Sequence, residues 1–263
     1  METSLETVVQ FANGLEALDY QSWQQKFAEA AKPEASGQTS ASPARTTIEF
    51  PSGTTSNTSA YRELAAGNFD EYILGAQGGQ ELTISAAPYA IGDGGDYILM
   101  VSGVDGSVLV PEAAQANSWT GILPATQDYV IRVVNRGNTA QYQLKVGLPW
   151  RIKFAAGAIS TTLDGKLIAG NEGNVYLLQA RAGQTMKVRT TSANNNACLT
   201  IVARMLDGSG IPLVNAASHP TTSWSTTLPT GTEYSQDYSI SVSLCPDAPA
   251  MDSFYTLSIE VVN

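Results

Sequence analysis

The chain has 263 residues, with 14 Lys and Arg against 24 Asp and Glu for a net charge of −10, and only 14% of its residues are charged. That length suits one large domain or two of medium size, each able to bury its own core. No apolar run reaches the roughly 18 residues of a membrane-spanning helix, and the acidic balance disfavours nucleic acid, whose binding gains from counterion release by basic side chains.

Residues 1–46 read as an N-terminal arm and linker. Leu5, Val8, Val9, Leu15 and Leu18 have partial helical spacing, Ser22-Trp-Gln-Gln25 reads as a capping box, and Pro33 ends the helix that follows. Glu34 to Arg45 is rich in Ser, Ala, Gly, Thr and Pro, the composition of a linker. The arm is expected to serve as a spacer or docking element outside both cores, the alternative being a segment that folds on a partner. The first residues lack the basic and apolar regions of a secretory signal, so any such signal is expected to have been removed from this chain.

From Thr47 the sequence repeats with a period of roughly 104 residues, the mark of a duplicated unit. Ile48-Glu-Phe50-Pro-Ser-Gly53 returns as Ile152-Lys-Phe154-Ala-Ala-Gly157, and Leu64-Ala-Ala-Gly67 as Leu167-Ile-Ala-Gly170. Tyr72-Ile-Leu with Gly79-Gln80 returns as Tyr176-Leu-Leu with Gly183-Gln184, and the Asp105-Gly-Ser107 turn as Asp207-Gly-Ser209. Trp119 to Pro124, Asp128-Tyr129 and Tyr142-Gln-Leu144 recur as Trp224 to Pro229, Asp237-Tyr238 and Tyr255-Thr-Leu257. Two domains follow, 47–149 and 150–263. In each, apolar residues alternate over short runs punctuated by Gly, Asn, Asp or Pro, the pattern of half-buried strands. The reading is all-β: two tandem eight-stranded jelly-roll-like β-sandwiches. Tyr176, Leu178, Met186, Val188, Leu199, Ile201, Tyr238, Ile240, Leu257 and Ile259 are expected to face inward in the second. Trp150 is expected to seal the junction, and the recurring Trp119 and Trp224 to pack into cores.

These landmarks, with Leu123-Pro-Ala-Thr-Gln-Asp128-Tyr129 above all, resemble the bacterial pre-peptidase C-terminal (PPC) domain and the related periplasmic inhibitors of g-type lysozyme. The resemblance covers both copies and not the arm. It implies non-catalytic domains of exported proteins, some binding calcium or matrix polymers, or inhibitors that insert a loop into a lytic enzyme. The second copy departs from the pattern by an insertion between Leu228 and Asp237.

Chemistry-bearing motifs are few. Cys198, Cys245 and the single histidine, His219, lack zinc-ligand spacing. A hydrolase would need His219 as its base, in a polar loop without a nucleophile signature. Gly92-Asp93-Gly-Gly-Asp96 and Asn68-Phe69-Asp70-Glu71 are oxygen-rich turns where calcium is the cation alternative; no other cofactor is expected. The two cysteines are either free thiols or one disulfide of an oxidising compartment. The jelly-roll order, in which the fourth strand begins at Cys198 and the seventh ends at Cys245, predicts a Cys198–Cys245 disulfide. Aligning the copies places Asp96 and Arg136 at the corresponding positions as a surface ion pair.

Charge differs between the segments, at −3 for 1–46, −6 for 47–150 and −1 for 151–263. If strands one, three and eight share a sheet, Glu49 and Glu81 mark an acidic face in the first copy. Arg151, Lys153, Lys187 and Arg189 then mark a basic face in the second. These form a candidate interaction face for head-to-tail self-association. The function expected is non-enzymatic binding, at an extracellular, cell-surface or periplasmic location, to a protein or cell-envelope polymer. Inhibition of a cell-wall lytic enzyme is the alternative, and a His219 hydrolase the third.

Overall fold

The computed structural model describes residues 45–90, 92 and 94–263. The expectations for the rest of the arm, and for Asp93, lie outside the described residues.

The first sandwich has one sheet in the order β1 (Arg45–Thr47), β4 (Phe69–Ala76), β9 (Gln127–Asn135), β6 (Tyr97–Gly103), β7 (Val108–Val110). The facing sheet runs β2 (Ser56–Thr58), β10 (Ala140–Gly147), β5 (Glu81–Pro88), β8 (Ser118–Ile122), with β3 (Arg62–Leu64) also paired to β10. The second sandwich repeats this. One sheet is β11 (Trp150–Arg151), β13 (Asn174–Gln179), β18 (Tyr234–Leu244), β15 (Ala197–Met205), β16 (Gly210–Val214). The other is β12 (Ser160–Leu167), β19 (Ser253–Val262), β14 (Thr185–Ser192), β17 (Ser223–Thr227).

Lettering β12 to β19 as B to I gives sheets B-I-D-G and C-H-E-F, the jelly-roll order. The first copy matches once β2 and β3 are taken as one interrupted strand. Each copy adds a short strand, β1 or β11, parallel to strand C. The Ile48 and Ile152 N–H groups extend this pairing, each donating to a strand-C carbonyl at 2.8 Å. The pairing begins at Arg45, inside the stretch read as arm.

Alternation sorts the side chains as expected. Tyr176, Leu178, Met186, Val188, Leu199, Ile201, Tyr238, Ile240, Leu257 and Ile259 build the second core. Tyr72, Leu74, Leu82, Ile84, Leu99, Val101, Tyr129, Ile131, Tyr142 and Leu144 build the first. Trp224 and Trp119 pack half-buried against these two cores. The turns before strand D place Gly79 and Gly183 at φ +82° and +79°, where a side chain would be strained.

Each core holds one polar chain of contacts. In the first, the Tyr142 hydroxyl donates to Asp70 Oδ2 at 2.7 Å and lies 2.6 Å from the Tyr72 hydroxyl. In the second, Asn174 takes the place of Asp70 and its Nδ2 donates to the Tyr255 hydroxyl at 2.8 Å, which lies 2.7 Å from that of Tyr176. Amide for carboxylate changes the surroundings: Arg62 Nε is 3.3 Å from Asp70, whereas Gly165 leaves room against the Tyr255 ring.

Cys198 and Cys245 form a disulfide, with Cα atoms 5.0 Å apart, at the start of β15 and just beyond the end of β18. The expected ion pair at the matching site of the first copy is not formed. Arg136 does correspond to Cys245, since their N–H groups donate to Asp96 O and Asn196 O. That contact matches Asp96 with Asn196, so Cys198 corresponds to the buried Ile98, and Arg136 pairs with Glu112 at 3.0 Å.

The two sandwiches fall in one compact unit. Their junction includes a set of backbone and side-chain hydrogen bonds from the Gly53–Ser56 strap. Thr55 N donates to Asn174 Oδ1 at 2.8 Å, Thr55 Oγ1 accepts from Val175 N at 2.6 Å, and Ser56 Oγ donates to Gly173 O at 2.6 Å. Val175 N needs this partner because β11 pairs with β13 only at Tyr176 and Leu177. Trp150 does not seal the junction: it is 59% exposed and walls a small cleft with Gly53, Thr54 and Thr55.

Candidate functional site

The outer face of the B-I-D-G sheet of the second sandwich carries a shallow groove of about 830 Å³. Strand alternation points Val188, Leu257 and Ile259 into the core, and so points their neighbours outward. The register aligns these neighbours in two rows across β12, β19, β14 and β17. One row is Ser160, Glu260, Lys187, Ser225; the next is Thr162, Ser258, Arg189, Ser223.

The rows differ electrostatically. Lys187 Nζ lies 3.0 Å from Glu260 Oε1, a half-exposed ion pair. Arg189 is exposed, flanked by serines, and its guanidinium has no ion-pair or hydrogen-bond partner among the described residues. Beyond Ser258 on β19, Thr256 donates to Asp164 Oδ1 at 2.8 Å. The ring of Phe254, 73% exposed, sits beneath Lys166 Nζ at 5.6 Å.

The same face of the first sandwich is partly covered. Thr83 and Ser85 stand where the second copy has Lys187 and Arg189. The turn Glu172–Val175 of the second sandwich covers part of the surface, leaving about 220 Å³. Lys145 pairs with Glu172 at 2.6 Å, and Glu81 with Arg204 at 2.8 Å, across the junction.

Of the six residues expected to mark an interaction face, the structure brings together Lys187 and Arg189. Arg151 and Lys153 lie elsewhere, because β11 pairs with β13 in the opposite sheet; strands one, three and eight do not share a sheet. Arg151 makes a two-pronged pair with Asp237, at 2.8 and 3.1 Å, which raises its pKa against the effect of burial. Glu49 follows β1 and is exposed, while Glu81 is spent on Arg204. The acidic half of the expected face therefore does not assemble. The row of hydroxyls has only a weak sequence signal, the alternation of Ser160 and Thr162, or Ser223 and Ser225, with their neighbours.

The remaining candidates are committed elsewhere or lack partners. His219 is exposed; its Nδ1 lies 3.2 Å from the adjacent Ser218 Oγ, and no carboxylate bonds to its ring among the described residues. Asp70 and Glu71, expected as calcium ligands in the alternative reading, are buried and face cations of the chain. Glu71 meets Arg45 at 2.5 Å and Arg132 at 2.9 Å. Burial works to raise the Glu71 pKa, yet the hydrogen bonds from Arg132 and Arg45 outweigh it and hold the carboxyl below its ordinary value. Among the described residues no group of three His, Cys, Asp or Glu is placed to hold a metal ion, and no helix is long and apolar enough to cross a membrane.

No protein-family model and no curated protein matches the chain. Among solved structures, the chain is similar to PliG of Aeromonas hydrophila, a periplasmic inhibitor of g-type lysozyme. The two are 21% identical with a TM-score of 0.32 over 40% of this chain and 95% of that one. The PliG of Salmonella Typhimurium is 17% identical, with a TM-score of 0.30 over 40% of this chain and 96% of that one. The PBSX exported protein XepA is 11% identical, with a TM-score of 0.23 over 80% of this chain and 89% of that one.

Proposed function

We propose that the protein is a non-enzymatic binding module of the cell envelope or exterior, and that it binds through the outer B-I-D-G face of the second sandwich. The observation that carries this is the contrast between copies. Two sandwiches of one strand order are present, and the face that the neighbouring domain partly covers in the first is open, grooved and rich in hydrogen-bonding groups in the second. The Cys198–Cys245 disulfide supports an oxidising compartment. The resemblance of the repeated motifs to non-catalytic PPC domains supports a binding role.

The test uses the intact protein and two tryptophan substitutions at outward positions of the two faces. Binding to a purified bacterial envelope preparation is expected to be lost in Thr162→Trp and retained in Ser85→Trp. Equal binding by both variants, or inhibition of a g-type lysozyme that Thr162→Trp leaves intact, would overturn the reading.

A further inference from the structure

Resting on that reading of the face, we infer that its ligand is an anionic polysaccharide, with a carboxylate or phosphate group received by Arg189. The two cross-strand rows supply the chemistry. Strands lie about 4.8 Å apart, so four of them present a line of polar groups about 14 Å long, enough for several contacts with an extended chain. Ser160, Thr162, Ser223, Ser225 and Ser258 can each donate and accept, which suits the hydroxyls of a sugar chain.

A protein partner fits less well. Interface energy concentrates in buried aromatic and aliphatic anchors, and the apolar groups under this groove are already taken: Val188 and Ile259 are in the core and Trp224 packs against it. Within the groove the side chains offered outward are hydroxyl-bearing or charged, and the exposed Phe254 lies beyond it on β19, beneath Lys166.

The charge favours an anion at one point. In the first row Glu260 neutralises Lys187, while in the second Arg189 stands between Ser258 and Ser223 without a counter-ion among the described residues. A guanidinium presents paired donors that match a carboxylate or phosphate in two-pronged geometry. The whole chain is strongly acidic, but residues 151–263 sum to −1, so the field of this half does not oppose a sparsely charged polymer. It does disfavour nucleic acid, which carries a charge every 1.7 Å or so of duplex. The first copy is the internal control: Thr83 and Ser85 stand in place of the two cations, and Lys145, which stands where the second copy has Ser258, is paired with Glu172.

Calorimetric titration with three soluble probes tests this: oligogalacturonate for carboxylate, poly(glycerol phosphate) for phosphate, and maltoheptaose as a neutral chain. At least one charged probe should bind tenfold or more tighter than maltoheptaose, weaken with added salt, and lose tenfold or more in Arg189→Gln. The charged probe that binds identifies which anion the site takes. Failure of both charged probes, or equal affinity for the neutral chain with Arg189→Gln silent, would overturn the anionic ligand. In the latter case loss of binding in Thr162→Trp would still uphold the face, and its retention would overturn the face as well. A reversible self-association in sedimentation that Arg189→Gln abolishes would make a second copy the occupant, and would likewise overturn the inference.

Discussion

Tyr129 and Tyr238 occupy one position in the two sandwiches, yet only the first closes its turn. The Tyr129 hydroxyl donates to Ala125 O at 2.6 Å and lies 3.3 Å from Ala125 N, pinning the Leu-Pro-Ala-Thr-Gln-Asp-Tyr corner. The insertion before Tyr238 carries that backbone away and leaves its hydroxyl buried without a hydrogen-bond partner among the described residues. Tyr129→Phe is therefore expected to cost about 1–2 kcal/mol, whereas Tyr238→Phe should be neutral or stabilising, because a buried unpaired hydroxyl carries its desolvation cost with no return. Urea unfolding of both variants checks the sign; a larger loss at Tyr238 would contradict it.

Asn174 ties the sandwiches together and is expected to be among the least tolerant polar residues. Its side-chain oxygen accepts from Thr55 N, and the two hydrogens of its Nδ2 are shared among Gly53 O at 3.1 Å, Lys166 O at 2.9 Å and the Tyr255 hydroxyl. Asn174→Ala strands these buried groups and should cost about 2–4 kcal/mol. It should also uncouple the domains, turning one calorimetric transition into two. A single unshifted transition would show that the strap does not hold the junction.

The Glu71 cluster sets a pH dependence. A carboxyl held below its ordinary pKa in the folded state stabilises above the ordinary carboxylate range, and that stabilisation is lost as pH falls through the lowered folded value. Glu71→Gln should therefore cost stability at pH 7, and the difference from wild type should shrink as pH falls through the lowered folded value. Parallel stability curves for the two proteins across this range would exclude the cluster as a source of acid sensitivity.

The disulfide spans 47 residues, and in the chain-entropy estimate such a closure stabilises by about 4 kcal/mol. Reduction, or the double substitution Cys198→Ala and Cys245→Ala, should lower the midpoint of the shared unfolding transition and, in the uncoupled Asn174→Ala protein, that of the second sandwich alone. Amide exchange resolves the two domains there, and equal loss of protection in both would contradict a stabilisation confined to the second sandwich.

The inward residues and the disulfide were legible because strand alternation and the order of the strands can be read from local signals. Strands one, three and eight do not share a sheet, since Arg151 and Lys153 follow a junction where the chain adds two residues parallel to strand C, and sequence periodicity is blind to which sheet an edge strand joins. The Asp96 to Cys198 match failed because the copies differ in length between their landmarks, so only the backbone contacts of Arg136 and Cys245 fix the equivalence. The open face was invisible for a different reason. Whether Thr83 and Ser85 or Lys187 and Arg189 meet solvent depends on how Glu172–Val175 packs on the neighbouring domain, a tertiary fact without a local signal.

The most direct test of the account is side-chain and amide chemical-shift mapping of the intact protein as soluble envelope fragments are added. The account predicts that shifts cluster at Lys187 and Arg189 and at Ser223, Ser225 and Ser258 around them, with the face around Ser85 silent. Shifts concentrated on the first sandwich, or on the loop around His219, would contradict it.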